Sequence, residues 1–278
     1  MDSGRERSER IGVNTITCGD CLKLLPGVEA GSVDMVLCDL PYGTTQNKWD
    51  SVIPFETLWA QYRHIVKPSG AVVLSASQPF TSTVVTSNLS WFRHEWIWIK
   101  DKGSNFANTV REPMKEHESV LVFSAGKWTY NKQMQERTGG GLKAIGKPNS
   151  RGGFCSTTNY GDGNTERMTA TLPELRVPTS WQRFNSERGL HPTQKPVALW
   201  EYLIRTYTNE GDTVLDNCCG SGTTGVACLS TGRNFICFDS SPYYCAIARA
   251  RLNPDPEARD AMLKAIVECK DDPDLWQA

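Results

Sequence analysis

Two strings in this 278-residue chain place a carboxylate where a buried strand should end: D-L-P-Y-G from Asp39 to Gly43, and D-N-C-C-G-S-G-T-T from Asp216 to Thr224. Each follows a short apolar run, Val33 to Cys38 in the first case and Thr213 to Leu215 in the second. An acid at a strand end, a glycine-containing turn and then a helix is how a doubly wound α/β sheet presents a ligand site at the carboxyl ends of its strands. The pattern occurs twice, so two ligands are expected to meet at one sheet edge. That geometry suits group transfer between a nucleotide-like cofactor and a second planar molecule.

The rest of the chain supplies the elements such a sheet needs. Val13 to Thr17 reads as a strand ending at Gly19-Asp20, with a short helix around Leu22 to Leu25. Phe55 to Val66 has helical spacing and stops at Pro68-Ser69-Gly70. Ala71 to Ser75 reads as a buried strand, and Trp96 to Ile99 and Ser119 to Phe123 as two more at the far edge. After His191 to Pro196, Val197, Trp200, Leu203, Ile204 and Tyr207 share one helix face. Strand, helix, strand, helix then follow at Thr213 to Leu215, Thr224 to Leu229, Asn234 to Phe238 and Tyr243 to Leu252. The reading divides the chain into 1–126, a loop-rich insert at 127–190, 191–252, and an acidic tail at 253–278.

Net charge is −1, so no global field advertises a polyanionic partner, but the local distribution does. Between Lys127 and Leu190 ten basic residues face five acids, a net of +5. From Asn253 onward seven acids face three bases, a net of −4. A phosphate-facing segment beside a solvated tail is expected, with ordinary exposed surface as the plainer alternative. The ten cysteines do not form a disulfide framework, and the lone C-x-x-C at Cys18 and Cys21 has no second pair at zinc spacing. With a charged N-terminus and no membrane-length apolar run, a cytoplasmic chain with reduced thiols and no membrane partner is expected.

Gly220 and Gly222 allow a tight turn and close backbone approach, and the helix start behind them favours an anionic group. Asp239 ends the next strand, about twenty residues on, where an acid would grip ribose hydroxyls; its plainer role is a helix cap ahead of Tyr243. Asp39 to Tyr42 differ in kind. Asp39 is an acceptor, the Leu40 carbonyl is a second, Pro41 holds the segment extended, and Tyr42 offers a π face. Together they would clamp an exocyclic amine on a flat heterocycle; the plainer role is a structural turn.

Taken in order, these motifs resemble those of the amino-group DNA methyltransferases of the permuted type, in which the catalytic motif precedes the cofactor motif, over nearly the whole chain. D-L-P-Y resembles the family's D-P-P-Y, H-P-T-Q-K-P from His191 to Pro196 matches the motif ahead of its cofactor strand, and D-N-C-C-G-S-G-T-T resembles D-P-F-x-G-S-G-T-T. D-L-P-Y-G-T-T-Q-N-K-W-D is also similar to a phage and prophage subgroup. Two positions depart from the pattern. Leu40 replaces a proline that acts through its carbonyl, and Asn217-Cys218 replace Pro-Phe, removing an aromatic beside the cofactor.

The resemblance implies a mostly parallel, seven-stranded Rossmann-like methyltransferase sheet with a loop-rich insertion. It implies S-adenosylmethionine as cofactor and DNA as partner. Asp239 is implied at the cofactor's ribose and Asp20 at its adenine. Asp216, Gly220, Gly222 and Thr223 are implied at its methionine end, helped by Thr193 and Lys195. Asp39, Leu40, Pro41 and Tyr42 are implied as the catalytic clamp on a flipped-out base. The initial Asp favours adenine N6, with cytosine N4 as the alternative. The insert falls where the family keeps its target-recognition region, so Arg137, Lys143, Lys147 and Arg151 are expected on DNA. A homodimer and a partner restriction nuclease stay open. Two rivals stand beside this reading: a dehydrogenase, which leaves D-L-P-Y and H-P-T-Q-K-P unexplained, and a catalytically silent DNA-binding relative, which intact Asp39 and Tyr42 oppose.

Overall fold

The computed structural model describes residues 10–44, 50–137, 174–187, 189–272 and 275–276. Its chain divides into two compact units, one of Met1–Asn131 with Ser180–Ala278 and one of Lys132–Thr179.

The larger unit is built on one sheet. Its strands are β1 (Thr15–Cys18), β2 (Val33–Cys38), β3 (Val66–Ala76), β4 (Phe92–Ser104), β5 (Lys115–Phe123), β8 (Trp181–Arg183), β9 (Thr213–Asp216) and β10 (Asn234–Asp239). They lie in the order β1-β10-β9-β2-β3-β5-β4-β8. Pairing is parallel from β1 through β3, antiparallel for β5 against β3 and β4, and parallel again for β8 on β4. From β9 the chain moves outward to β10, and from β2 it moves the opposite way to β3. The junction of β2 and β9 is therefore the point where strand order reverses, where doubly wound sheets bind ligands. The two acid-ended strings leave the sheet on either side of that junction.

Helices cover both faces because the strands bury both. One face (Val36, Cys38, Val72, Leu74, Leu121, Phe123) packs on α2 (Phe55–Ile65) and α3 (Phe80–Ser87) through Trp59, Tyr62 and Phe80. The other (Met35, Leu37, Val73, Trp96, Trp98, Val120) packs on α4 (Val197–Tyr207) and α5 (Thr223–Thr231) through Trp200, Leu203 and Tyr207. Burying side chains of this size stabilises by roughly 1.5–3 kcal/mol each. The short α1 (Cys21–Leu24) follows β1, and α6 (Pro242–Arg251) follows β10 and touches β1.

The structure departs from the sequence expectation in four places. The sheet has eight strands rather than seven among the described residues, because Trp181–Arg183, expected in a loop-rich insert, pairs with the outer edge of β4. An unpaired strand edge is a ready template for such an addition. Only the middle residue, Gln182, is buried, so no apolar alternation marked it. Helix α3, F-T-S-T-V-V-T-S, was not foreseen, since its β-branched and hydroxyl residues are poor helix formers. The acidic C-terminal segment, expected as a solvated tail, carries helix α7 (Pro256–Glu268), capped by Asp255, whose carboxylate accepts from the Glu257 and Ala258 amides. The smaller unit shows a two-stranded antiparallel pair, β6 (Gln135–Glu136) with β7 (Leu175–Arg176).

Gly222 fixes how α5 sits on α6. Its φ is +79°, and a Cβ there would lie 2.7 Å from the Ala248 Cβ and 3.0 Å from its Cα. Gly222→Ala combines a left-handed backbone penalty with an overpacked contact, and should destabilise the protein by about 2–4 kcal/mol. A denaturant melt showing less than about 1 kcal/mol would mean that the helices separate freely at this contact.

Candidate functional site

Side chains alternate across a strand, so whatever follows an apolar run by two residues lies on the same face. On the face covered by α4 and α5, that rule carries four strands from core into polar groups at one edge. Met35 and Leu37 lead to Asp39, Ala71 and Val73 to Ser75, Val122 and Val120 to Glu118, and Trp96 and Trp98 to Lys100. The register pairs Ser75 with Val120 and Trp98 with Glu118, so Ser75, Glu118 and Lys100 step outward two residues at a time along one edge, within side-chain reach of one another. Lys195 arrives from the segment leading into α4 and completes the group.

These residues form a closed ring. The Lys195 Nζ lies 2.6 Å from Asp39 Oδ2 and 3.3 Å from Glu118 Oε2. The Tyr42 hydroxyl donates to Asp39 Oδ1 at 2.7 Å and lies 3.2 Å from Ser75 Oγ, which donates to Glu118 Oε2 at 3.3 Å. Lys100 pairs with the other Glu118 oxygen at 2.5 Å. Side-chain exposure is 8% for Lys195, 13% for Glu118 and Lys100, and 21% for Asp39. Ionised groups this withdrawn from water persist only when paired and hydrogen-bonded. Burial raises the Asp39 pKa, against the pull of Lys195. Burial also opposes the charged forms of Glu118 and Lys195, but their partners prevail: Lys195 and Lys100 hold Glu118 below its ordinary value, and Asp39 and Glu118 hold Lys195 above its own.

The four residues expected to form the clamp, Asp39 to Tyr42, are buried or half-buried at the end of β2. Leu40 buries its side chain in the core, leaving its backbone as its polar contribution. Pro41 is half-buried. The Tyr42 ring stacks on Phe80 at 4.8 Å between centroids, and the Lys195 ammonium lies 5.8 Å from its centroid. Both Asp39 oxygens hold a partner, and each keeps acceptor capacity for an incoming N–H.

Across the switch point, Asp216 and Asp239 end β9 and β10 on the same face, continuing Val214 and Phe235-to-Cys237. Asp216 points inward. It accepts from the Thr224 hydroxyl and, at 3.1 Å, from the Cys218 amide, while Trp200 Nε1 donates to Thr224 at 2.8 Å. Burial pushes its pKa up to about 7. Asp216 therefore shapes the loop from beneath. Asp239 accepts from the Gly220 amide at 2.8 Å and the Ser241 amide at 2.9 Å, and burial raises its pKa. The cap of α6 is Ser241, so the helix-cap role considered for Asp239 belongs to the residue two positions on. Gly220 and Gly222 both hold positive φ, and Thr223 opens α5. Arg251 clamps this turn, donating to Ser221 O at 2.8 Å and to the Ser221 and Thr223 hydroxyls at 3.2 Å. Asp20 caps α1 through the Leu22 amide, beside β10, where Gly19 donates to Asp239 O at 2.8 Å.

The segment His191 to Lys195 ties the two halves together. His191 packs on Tyr244 and against Gly220, and Thr193 folds back on the His191 ring. Lys195, expected from the resemblance at the cofactor's methionine end, has its ammonium on Asp39 and Glu118. Glu118, Lys100, Ser75, Phe80 and Arg251 were missed; the alternation rule would have found the first three. Asn217 is buried and accepts from the Tyr62 hydroxyl at 2.6 Å, which accounts for an amide where the resembling motif has proline. Arg137 lies in the smaller unit, donating to Leu175 O at 2.9 Å. Lys143, Lys147 and Arg151 lie outside the described residues.

A family model for N6/N4 methyltransferases, described as DNA methylase, matches residues 33–250. Type II methyltransferase M.HpaI of Haemophilus parainfluenzae is 26% identical, over 92% of this chain and 80% of the relative. Type II methyltransferase M.HinfI of Haemophilus influenzae is 25% identical, over 88% and 70%. The crystal structure of an M1.HpyAVI–SAM complex matches 86% of this chain and 99% of its own, with a TM-score of 0.57 and 25% identity. That of the PvuII DNA methyltransferase, described as cytosine-N4-specific, matches 95% and 96% with a TM-score of 0.63; at 15% identity this likeness shows the fold alone.

Asp216 yields a signed pH prediction. Its folded-state pKa is raised, so its contribution to stability is fully present below the unfolded value and is lost as pH rises through about 7. Asp216→Asn removes that loss. Relative to the parent, the variant should gain on the order of 1–3 kcal/mol between pH 5 and pH 8. Denaturant melts at the two pH values giving an unchanged difference would show that Asp216 is ionised throughout.

Proposed function

The chain belongs to the DNA methylase family whose model spans it from residue 33 to residue 250, and on that premise we propose that it moves a methyl group from S-adenosylmethionine to the exocyclic N6 of an adenine flipped out of DNA. The observation that carries this reading is the position of Asp39 and Tyr42 at the carboxyl end of β2, one strand from the glycine turn after β9, at the point where the sheet reverses. The cofactor supplies an electrophilic methyl on a sulfonium. The residues across the switch point fit it. Gly220 and Gly222 leave bare backbone on either side of Ser221, Asp239 presents a carboxylate at the next strand end for ribose hydroxyls, and Asp20 stands beside it for the adenine. Thr193, Thr223 and the backbone around Gly220 frame the methionine end, with Asp216 holding the turn in shape.

The chain's own groups prepare the acceptor. An exocyclic amine is a poor nucleophile because its lone pair is conjugated with the ring. Hydrogen bonds from its two N–H groups to Asp39 and to the Leu40 carbonyl favour a pyramidal nitrogen with its lone pair free. Pro41 holds that segment extended, and Tyr42, backed by Phe80, is the stacking platform. Stacking returns roughly 1–3 kcal/mol of the few kcal/mol that flipping costs. Positioning supplies much of the remaining rate. Asp39, paired with Lys195 at 2.6 Å, also offers an acceptor for the proton the amine sheds after transfer.

Two surfaces are proposed for DNA. The basic insert, including Arg137, Lys143, Lys147 and Arg151, is the target-recognition region. The β4–β5 hairpin is the other: its register runs past Glu118 to Ser104 and Lys115, so its tip stands over the same sheet edge, with Phe106 77% and Val110 92% exposed. The relatives named Type II methyltransferases support a role in DNA modification, whether or not a nuclease or a second copy of the chain accompanies it. No helix among the described residues is long and apolar enough to cross a membrane.

Mass spectrometry of DNA digested after exposure to the protein and S-adenosylmethionine should show N6-methyladenine. N4-methylcytosine instead would overturn the weight placed on Asp39, and no methylated base at all would favour the silent DNA-binding relative. Asp39→Ala should lower the transfer rate by about 10²–10³-fold, as loss of one preorganised group typically does. Affinity for the neutral product S-adenosylhomocysteine should stay within a few-fold of the parent. More than about a tenth of the parental rate in a folded variant would refute the clamp. Asp239→Ala should weaken binding of both cofactor forms together while sparing DNA binding, and unchanged calorimetric affinity would confine Asp239 to holding the Gly220 and Ser241 amides.

A further inference from the structure

A lysine is an odd neighbour for a site that accepts a sulfonium. Lys195 is nearly sequestered from water and in direct contact with Asp39, the carboxylate that faces the target amine. The methyl donor must lie in line behind that amine, a near-attack distance away. An unbalanced ammonium here would repel the cofactor before reaction and the methylated amine, briefly cationic, after it. Two unit charges 10 Å apart in an effective dielectric near 20 repel by an amount worth roughly tenfold in affinity.

The structure offers the remedy. Behind Lys195 lies Glu118, 3.3 Å away, and behind Glu118 lies Lys100 at 2.5 Å. Asp39, Lys195, Glu118 and Lys100 alternate in sign and sum to zero. The other titratable groups facing Lys195 add no charge near neutral pH. Tyr42 is held protonated by burial, and burial with the nearby Lys195 pushes His191 down to about 4, so its ring is neutral. Nothing in the proposed chemistry uses Glu118 directly, since it touches Ser75, Lys100 and Lys195. Yet it occupies an interior position where an uncompensated acid would cost several kcal/mol.

We infer that Glu118 is the counter-charge that lets Lys195 hold Asp39 in a pocket that also takes a sulfonium cation, a positioning residue acting through Lys195 and tuning the site to the charged form of the cofactor. The inference rests on the methyl-transfer reading and adds to it a basis for telling S-adenosylmethionine from its neutral product. Lys100 anchors Glu118 and keeps the set neutral.

The test compares binding of S-adenosylmethionine, which carries the sulfonium, with S-adenosylhomocysteine, which does not. Isothermal calorimetry on the full chain at pH 7 gives the ratio of the two dissociation constants. Glu118→Gln keeps the shape and leaves the set at +1, so the ratio should move against S-adenosylmethionine by roughly tenfold. Lys195→Gln leaves it at −1 and should move the ratio the opposite way. Glu118→Gln with Lys195→Gln restores neutrality and should return the ratio to within about threefold of the parent. Glu118→Asp, which keeps the charge, should leave it near the parental value and serves if Glu118→Gln fails to fold. A structural role alone would weaken both ligands together and could not give shifts of opposite sign. Equal changes for the two ligands, shifts of the same sign in the two single variants, or no shift in either would overturn the inference. Absence of methyl transfer by the parent protein would instead overturn the reading on which it rests.

Discussion

The Lys195 ammonium, held between Asp39 and Glu118, is the contact on which the arrangement of the site depends. It joins three parts of the chain distant in sequence: the end of β2, the start of the buried part of β5, and the segment entering α4. Buried ion pairs are rarely a net source of stability, because desolvation consumes most of the Coulombic gain. What this one contributes is definition. It fixes the plane of the Asp39 carboxylate, opposes the upward push that burial gives its pKa, and ties it through the same short segment to the turn at Gly220, against which His191 packs. The parts of the site that carry Asp39 and Gly220 thereby share one support.

That support is an extension of the core. Four neighbouring strands bury apolar residues on the face under α4 and α5, and each continues, two residues on, into a polar or charged group at the same edge. The alternation that packs the sheet therefore also aims Asp39, Ser75, Glu118 and Lys100 at one another. The same holds across the switch point for Asp216 and Asp239. Three strand-end acids on one face do different jobs. Asp39 is paired with a cation, Asp239 holds two backbone amides, and Asp216 is turned beneath the loop with its pKa pushed up to about 7. Partners and burial, rather than residue type, set those differences.

Much of the frame was legible because its signals are local. Apolar runs ended by Asp, glycines at turns, and the helical face of Val197 to Tyr207 each speak within ten residues, and they placed β2, β9, β10, α2, α4 and α6 within a residue or two. What escaped lacks a local signal. Helix α3 is made of residues that disfavour helix in isolation, and forms because Phe80, Thr81 and Val84 are buried against the core. Strand β8 has three residues and exists because β4 offers an open edge. The partners of Lys195 were illegible for a related reason: a motif marks a lysine as important, but the acids it meets, Asp39 and Glu118, are chosen by the fold.

The chain by itself determined the class of architecture and marked the candidate groups at its sheet edge. A carboxylate at the end of a buried strand, with glycines or proline directly after it, has few structural solutions, and two such strings in one chain imply a shared edge. Tertiary structure alone decided the electrostatics. Glu118 and Lys100 lie 18 residues apart and Lys195 lies 156 residues from Asp39, and only the register of β4, β5 and β3 with the path into α4 makes them one neutral set. Sequence spacing carries no information about charge balance, because a charge acts over distances in space, and folding sets those distances.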